Sequence, residues 1–408
     1  MTANSNPRSG LEKIISNRSI IILLAIVPLI GVISPRAMAY MPAIIALLGY
    51  IGLCVQTRKL TPFNLKTTLW TLAVSGLILL STLWTMDMDI TLSRFSKTAP
   101  IFLGMVLMAS WIPLLKSENF EIFMKVLRII LGVAGLYILF EFFTNGLIAH
   151  ALHETDRFSG VSFMNRCVVV YFFCALPIFR NPILERADCA LAALLAFVVF
   201  ASDSQSIQLA FIIFALMRWV MPLKPKVIWA IITLAIAGLF LTAPFIATYL
   251  FQTLPQYFEG QQWLANAYAS DRLEIWDFVA RRALQEPWLG HGIEATRLIK
   301  DFDVQNIYFP DQTVLHPHNF ALQIWIEFGL LGAFLFTGII VFAIYEIWKK
   351  FTIDQNLGRF YIAAFIALLS VAATTYGIWQ GWWLGLFGYI LGCTLLVAAQ
   401  QRTQHERK

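Results

Sequence analysis

Two imidazoles stand two residues apart in His316-Pro317-His318-Asn319, at the end of a long polar insert. An apolar helix containing Gln323, Glu327, Gly329 and Gly332 follows at once. Imidazole titrates near pH 6.5, so a neutral ring can take a proton from a hydroxyl at neutral pH. His318 is the candidate base, and His316 is a second titratable ring. Asn319 can orient a ring or cap the helix. A histidine at a helix start also serves as a plain cap or interface residue. Glu327 falls about two turns into the helix. A carboxyl inside a span costs roughly 2.5–3.5 kcal/mol to insert and usually faces the bundle interior. There it can steady His318 or an arginine, or pair for structural reasons alone.

The arginines offer a second chemistry. A guanidinium is a planar fork of donors that matches phosphate oxygens two at a time. Arg157 lies in a middle polar loop, with Asn165 and Arg166 at the mouth of the next span. Arg272 and Arg281 lie in the long insert. Arg272 sits in the first turn of a predicted helix, where the helix dipole disfavours a cation. Arginines at a bilayer surface suit a lipid-linked diphosphate; headgroup contacts or pairing with loop carboxylates are the alternative. Asp87-Met88-Asp89 is short and common, although paired acids can hold a divalent ion. Neither the histidine spacing nor the five cysteines, all in or at the ends of apolar segments, gives a metal-binding pattern. No metal site and no cofactor is expected.

These groups must be positioned by membrane helices. The chain is 59% hydrophobic and 13% charged, with mean hydropathy +0.70, where a soluble domain carries about 25% charged residues. Apolar runs near the ~20 residues needed to cross a bilayer recur throughout. The expectation is an all-α polytopic membrane protein. Twelve candidate spans fall near 19–34, 37–55, 67–86, 98–115, 122–144, 164–179, 187–202, 205–222, 226–249, 320–348, 358–376 and 380–400. The first is expected to be an uncleaved signal anchor. With the N-terminus inside, most of the 30 Lys and Arg residues fall in inner segments. That bias places both termini in the cytoplasm. The pI of about 9.0 then reflects topology, and gives no reason to expect nucleic acid as a partner.

Three parts follow: residues 1–249 with nine spans and short outer loops, a large outer loop over 250–319, and residues 320–408 with the last three spans. Within the large loop, Asp271 opens a helix, with Glu274 in a capping-box position. Leu273, Trp276, Ala280 and Leu284 recur at helical spacing, so residues 272–285 form an amphipathic helix able to roof a cavity in the bundle. Pro287 stops it, Gly290 and Gly292 allow a tight turn, and a short helix is expected over 294–302.

The set of motifs resembles the O-antigen ligase and Wzy polymerase superfamily. His316-Pro317-His318-Asn319 with Gln323, Glu327, Gly329 and Gly332 is similar to its signature. Trp84-Thr85-Met86-Asp87 resembles its tryptophan-serine-acid element, and Arg157-Phe158-Ser159-Gly160 with Asn165 its arginine-glycine-asparagine motif. Arg272 with Trp276, then Pro287-Trp288-Leu289-Gly290-His291-Gly292, resembles the segment preceding the histidine. One departure is Gln205 after Ser204, where members often carry a basic residue.

The resemblance implies a GT-C-like fold and glycan transfer from undecaprenyl diphosphate at the periplasmic face of a bacterial inner membrane. It implies a lipid A–core or other glycan acceptor, and an inverting reaction without a metal. His318 would be the base. Arg157 and Arg272, then Arg281 and Arg166, would hold the diphosphate, with His316, Asn319, Glu327 and Asn165 in support. Membrane lipids surround the site. A repeat-unit polymerase is the close alternative, and a secondary transporter a more distant one.

Overall fold

The computed structural model describes residues 17–153, 160–258, 269–299 and 314–406. Among these the chain is helical, with no strand. The main helices are α1 (Asn17–Ile33), α2 (Met41–Thr57), α3 (Leu65–Leu80), α4 (Met88–Trp111), α5 (Ser117–Phe143), α6 (Leu147–His153), α7 (Gly160–Ala175) and α8 (Arg186–Ala201). They continue with α9 (Gln205–Ala215), α10 (Lys226–Leu241), α11 (Ala243–Thr253), α12 (Ala269–Ala283), α13 (Phe320–Ile353), α14 (Gln355–Ala372) and α15 (Gly381–Glu406).

Among the described residues, six helices are long and apolar enough to cross a membrane, or seven when α10 and α11 count as one bent span. Four shorter apolar helices, Asn17–Ile33, Met41–Thr57, Phe163–Phe179 and Gln205–Val220, occupy other expected spans. The chain is an all-α polytopic membrane protein, as its hydropathy predicts. Length and composition do not bring the number of spans to twelve. The expected single span over 226–249 is broken: α10 and α11 meet at 78°. Pro244 stands at the start of α11. Proline has no N–H for an uninterrupted helix and suits a first turn.

The helices gather into two units. One comprises Met1–Thr71, Thr98–Ser204 and Gly381–Lys408. In it α1 packs on α5 and α7, and α15 on the 3₁₀ turn Pro35–Ala39. The approach is close because glycines line it: a Cβ at Gly49 would collide with the buried Trp111 ring, and one at Gly385 with the Met38 backbone. Small residues at such crossings let helix backbones approach in lipid.

The other unit comprises Leu72–Lys97 and Gln205–Gln380. Here α13 packs on α10 and α14, and α12 lies on α11 and α13. Ile275, Phe278, Val279 and Ala283 of α12 are buried against Ala243 and Ala247 of α11 and Leu322, Trp325 and Ile326 of α13. The predicted amphipathic helix is therefore present, with its apolar face on the bundle. Full burial of a side chain such as Phe278 is worth about 1.5–3 kcal/mol. The helix starts at Ala269, so Asp271 lies inside its first turn, where an acid is favoured by the dipole. Of the expected helix over 294–302, Ala295–Leu298 is helical, and residues 300–313 lie outside the described part.

Helix α13 is kinked at Gly329 (φ 56, ψ −148). The backbone of residues 287–292 fills the break. Leu330 N–H donates to Pro287 O (2.8 Å), His291 N–H to Ile326 O (2.8 Å), and Gly292 N–H to Glu327 O (2.9 Å). Gly290, Gly292 and Gly329 all have positive φ. A Cβ at Gly290 would fall 2.6 Å from the Glu327 backbone, and one at Gly292 2.5 Å from Thr85. Only glycine supplies both the φ and the clearance.

Candidate active site

The site is built where α12, the start of α13 and the turn after α14 meet. Asn319 caps α13: its Oδ1 accepts from Leu322 N–H at 3.2 Å. His318 just before it has φ +53, a left-handed conformation that costs a non-glycine residue about 1–2 kcal/mol. The Trp276 indole N–H donates to Pro317 O (2.8 Å), tying the His-Pro-His segment to α12.

Two consecutive carbonyls of the turn after α14 receive the two candidate functional groups. Arg272 Nη1 donates to Thr374 O at 2.7 Å. His318 Nδ1 lies 2.5 Å from Thr375 O. A carbonyl only accepts, so Nδ1 carries the proton and Nε2 the lone pair. No partner occupies Nε2 among the described residues. Burial lowers the His318 ring below its ordinary 6.5; the Thr375 carbonyl opposes this, and the Arg272 charge adds to it. Burial likewise lowers Arg272. His316 stands beside His318, with ring centroids 4.2 Å apart. Its Nε2 is 3.0 Å from the Gln380 carboxamide.

Glu327 is fully buried and touches neither histidine nor an arginine. Its Oε1 accepts from Gln323 Nε2 and Glu294 N–H, each at 3.0 Å, and its Oε2 accepts from the Trp379 indole at 2.5 Å. Glu294 in turn binds Arg94 (2.5 Å) and Arg297 (2.9 Å).

Arg281 shares α12 with Arg272 but not its face. Arg281 is nine residues beyond Arg272, about 13.5 Å along the helix and half a turn away. It pairs with Asp277 at 3.0 Å and is 45% exposed. Arg166 and Asn165 belong to the other unit and are half-buried near the start of α7. Arg157 lies outside the described residues. Asp87 caps α4 through Ile90 N–H (2.9 Å) and Asp89 is exposed in its first turn.

An apolar cavity of about 360 Å³ opens beside the histidines, walled by α10, α11, α13 and α14. Trp276, Asn319 and Thr374, which adjoin His318 and Arg272, also line it. Thr374, Thr375, Trp379 and Gln380 had no place among the sequence candidates. Their only mark is a polar run, Thr374-Thr375-Tyr376-Gly377, between two apolar helices.

An imidazole with a presented lone pair, a buried guanidinium and a lipid-like cavity together suit proton abstraction from a hydroxyl near an anionic lipid. Residues 190–337, which include Arg272 and His318, match a family described as O-Antigen ligase. Over that stretch the chain is similar to the O-antigen ligases. It is 29% identical over 274 residues to a Rickettsia conorii protein named "Putative polysaccharide ligase", covering 63% of this chain and 62% of that one. A Rickettsia typhi protein of the same kind is 30% identical over 192 residues, 46% of each chain. One from Rickettsia felis is 28% identical over 271 residues, 63% of each. The alignments thus span less than two thirds of these relatives. The ligase family match contains His318, Arg272 and Glu327 in one continuous stretch, and these three fall in one structural unit.

Proposed function

We propose that this chain is a membrane glycosyltransferase of the O-antigen ligase type, acting at the periplasmic face of a bacterial inner membrane with both termini cytoplasmic. It moves a glycan from undecaprenyl diphosphate to a hydroxyl of lipid A–core or another glycan. One observation carries the reading: neighbouring carbonyls hold His318 with Nε2 available and Arg272 as a cation beside it. Nε2 takes the acceptor proton as the hydroxyl attacks the anomeric carbon. The departing diphosphate gathers negative charge, and Arg272 stabilises it. Fixed guanidinium groups can fill the role a metal plays elsewhere, so the reaction is proposed to run without one. Attack opposite the leaving group inverts the anomeric centre. The apolar cavity takes the first part of the polyprenyl chain.

Ligase is favoured over repeat-unit polymerase because the curated relatives carry the ligase name. A deletion strain tests this through its lipopolysaccharide. Loss of a ligase leaves bare core and accumulates lipid-linked polymer. Core capped with a single repeat would instead assign the chain to polymerisation. Movement of the lipid-linked glycan by purified protein, with no transfer, would make it a transporter.

A further inference from the structure

Glu327 and Gln323 lie four residues apart on one face of α13 and do not touch His318 or Arg272, yet both end on the turn that holds those two groups. Gln323 Oε1 accepts from Ile378 N–H at 2.9 Å while its Nε2 donates to Glu327, so both ends of the amide are committed. Glu327 Oε2 takes the Trp379 indole N–H. The Trp379 ring is wedged edge-on against Phe328 and Phe336, and its carbonyl accepts from Arg94 Nη1 at 3.1 Å. The turn is thus fixed at Ile378 and Trp379, three to five residues from the carbonyls of Thr374 and Thr375. Gly377 between them abuts His316 closely enough that a Cβ would stand 3.0 Å from its ring.

From this geometry we infer that Gln323, Glu327 and Trp379 are positioning residues: they lock the turn Thr374–Gln380, whose carbonyls set the tautomer of His318 and the aim of Arg272. The inference rests on the catalytic reading above. A buried polar network is weak evidence for stability, since apolar replacements often do as well. A network with its members satisfied does specify one geometry. A misplacement of about 1 Å can cost on the order of 10²-fold in rate, so the lock has a kinetic use.

The test uses full-length protein in lipid nanodiscs, with Trp379→Phe and Gln323→Met. The first keeps an aromatic ring and loses the five-membered ring with its N–H donor. The second keeps the volume and loses the acceptor for Ile378. Histidine is ¹⁵N-labelled, and the His318 signal is assigned by its absence in His318→Gln. The wild type should show His318 protonated at Nδ1. Both variants should move it towards a mixture of tautomers, and should lower kcat about 10-fold or more while the donor KM stays nearly constant. An unchanged His318 signal in both variants overturns the inference, even if activity falls, because the loss then has another route. If the wild type transfers no glycan, the functional reading fails and the NMR arm still decides the positioning claim.

Discussion

Two arginine sites, one in each unit, are built on opposite principles. In the first unit Arg128 grips Asp188 with Nε and Nη2, each at 2.8 Å, and reaches Glu185 at 2.7 Å. Arg180 approaches the same two acids at 3.4 Å and lies over the Phe120 ring. Charge there is answered by charge. In the second unit Arg272 meets a carbonyl, and among the described residues no carboxylate pairs with it. A half-buried cation bonded to a dipole, with only the Asp271 charge to offset it, is weakly compensated. The first cluster therefore reads as an anchor between α5 and α8, and the second as a cation kept for an anionic substrate.

The contrast predicts different casualties, and the largest effect belongs to the imidazole beside Arg272. His318→Ala should lower glycan transfer by about 10²–10⁴-fold with the fold intact, measured on purified protein with a lipid-diphosphate glycan. Wild-type transfer in that variant would remove His318 from the chemistry. The wild type should also lose rate on the acid side, below pH 6.5, because burial lowers the ring and only its neutral form is a base. Stability carries the same sign. A depressed folded value makes the His318 contribution complete above the unfolded value of about 6.5, and it is lost as pH falls through the folded one.

Asp188→Ala should do the reverse. Asp188 is 1% exposed, and its loss leaves Arg128 and Arg180 only the exposed Glu185 carboxylate, so destabilisation of about 3 kcal/mol is expected. Transfer per folded molecule should stay near wild type. A melting curve and an active-site-normalised rate check both halves, and a rate defect without a stability loss would break the comparison.

What was legible beforehand divides along the same physical lines. Asn319 as a cap, Gly290 and Gly292 as a turn and α12 as an amphipathic helix are local features, written in residue type and spacing. The break near Thr242 was also written there, in Pro244, but a long apolar run masked it. The turn after α14 was not legible, because it acts through the carbonyls of Thr374 and Thr375, which any residue possesses. The family resemblance pointed to Arg272 and Arg281 alike; nine residues of helix separate their faces.

Arg272→Met should lower transfer by about 10²–10³-fold, the scale of losing one stabilising donor at a developing anion. Its stability should stay within about 1 kcal/mol of wild type, because relief of the buried charge offsets the stranded Thr374 carbonyl. Activity assays and thermal denaturation of the same preparation decide it. A loss as large as that of Asp188→Ala would make Arg272 a second structural anchor.

The smallest effect separates the two arginines of α12 from each other. Arg281 is 45% exposed and already paired with Asp277, an arrangement worth about 0.2–1 kcal/mol. Its removal should change kcat/KM by no more than about two-fold, within the ±0.5 kcal/mol typical of surface changes. Burial raises the Asp277 carboxyl and Arg281 opposes that rise, so Arg281→Ala should push it higher. A carboxyl whose folded value rises loses stability at pH values above its unfolded pKa, so the small cost should be largest near neutrality and fade in acid. Melting temperatures across that range test the sign. A ten-fold fall in transfer would bring Arg281 back to the diphosphate, and would mean that a closed form of α12 turns its other face to the substrate.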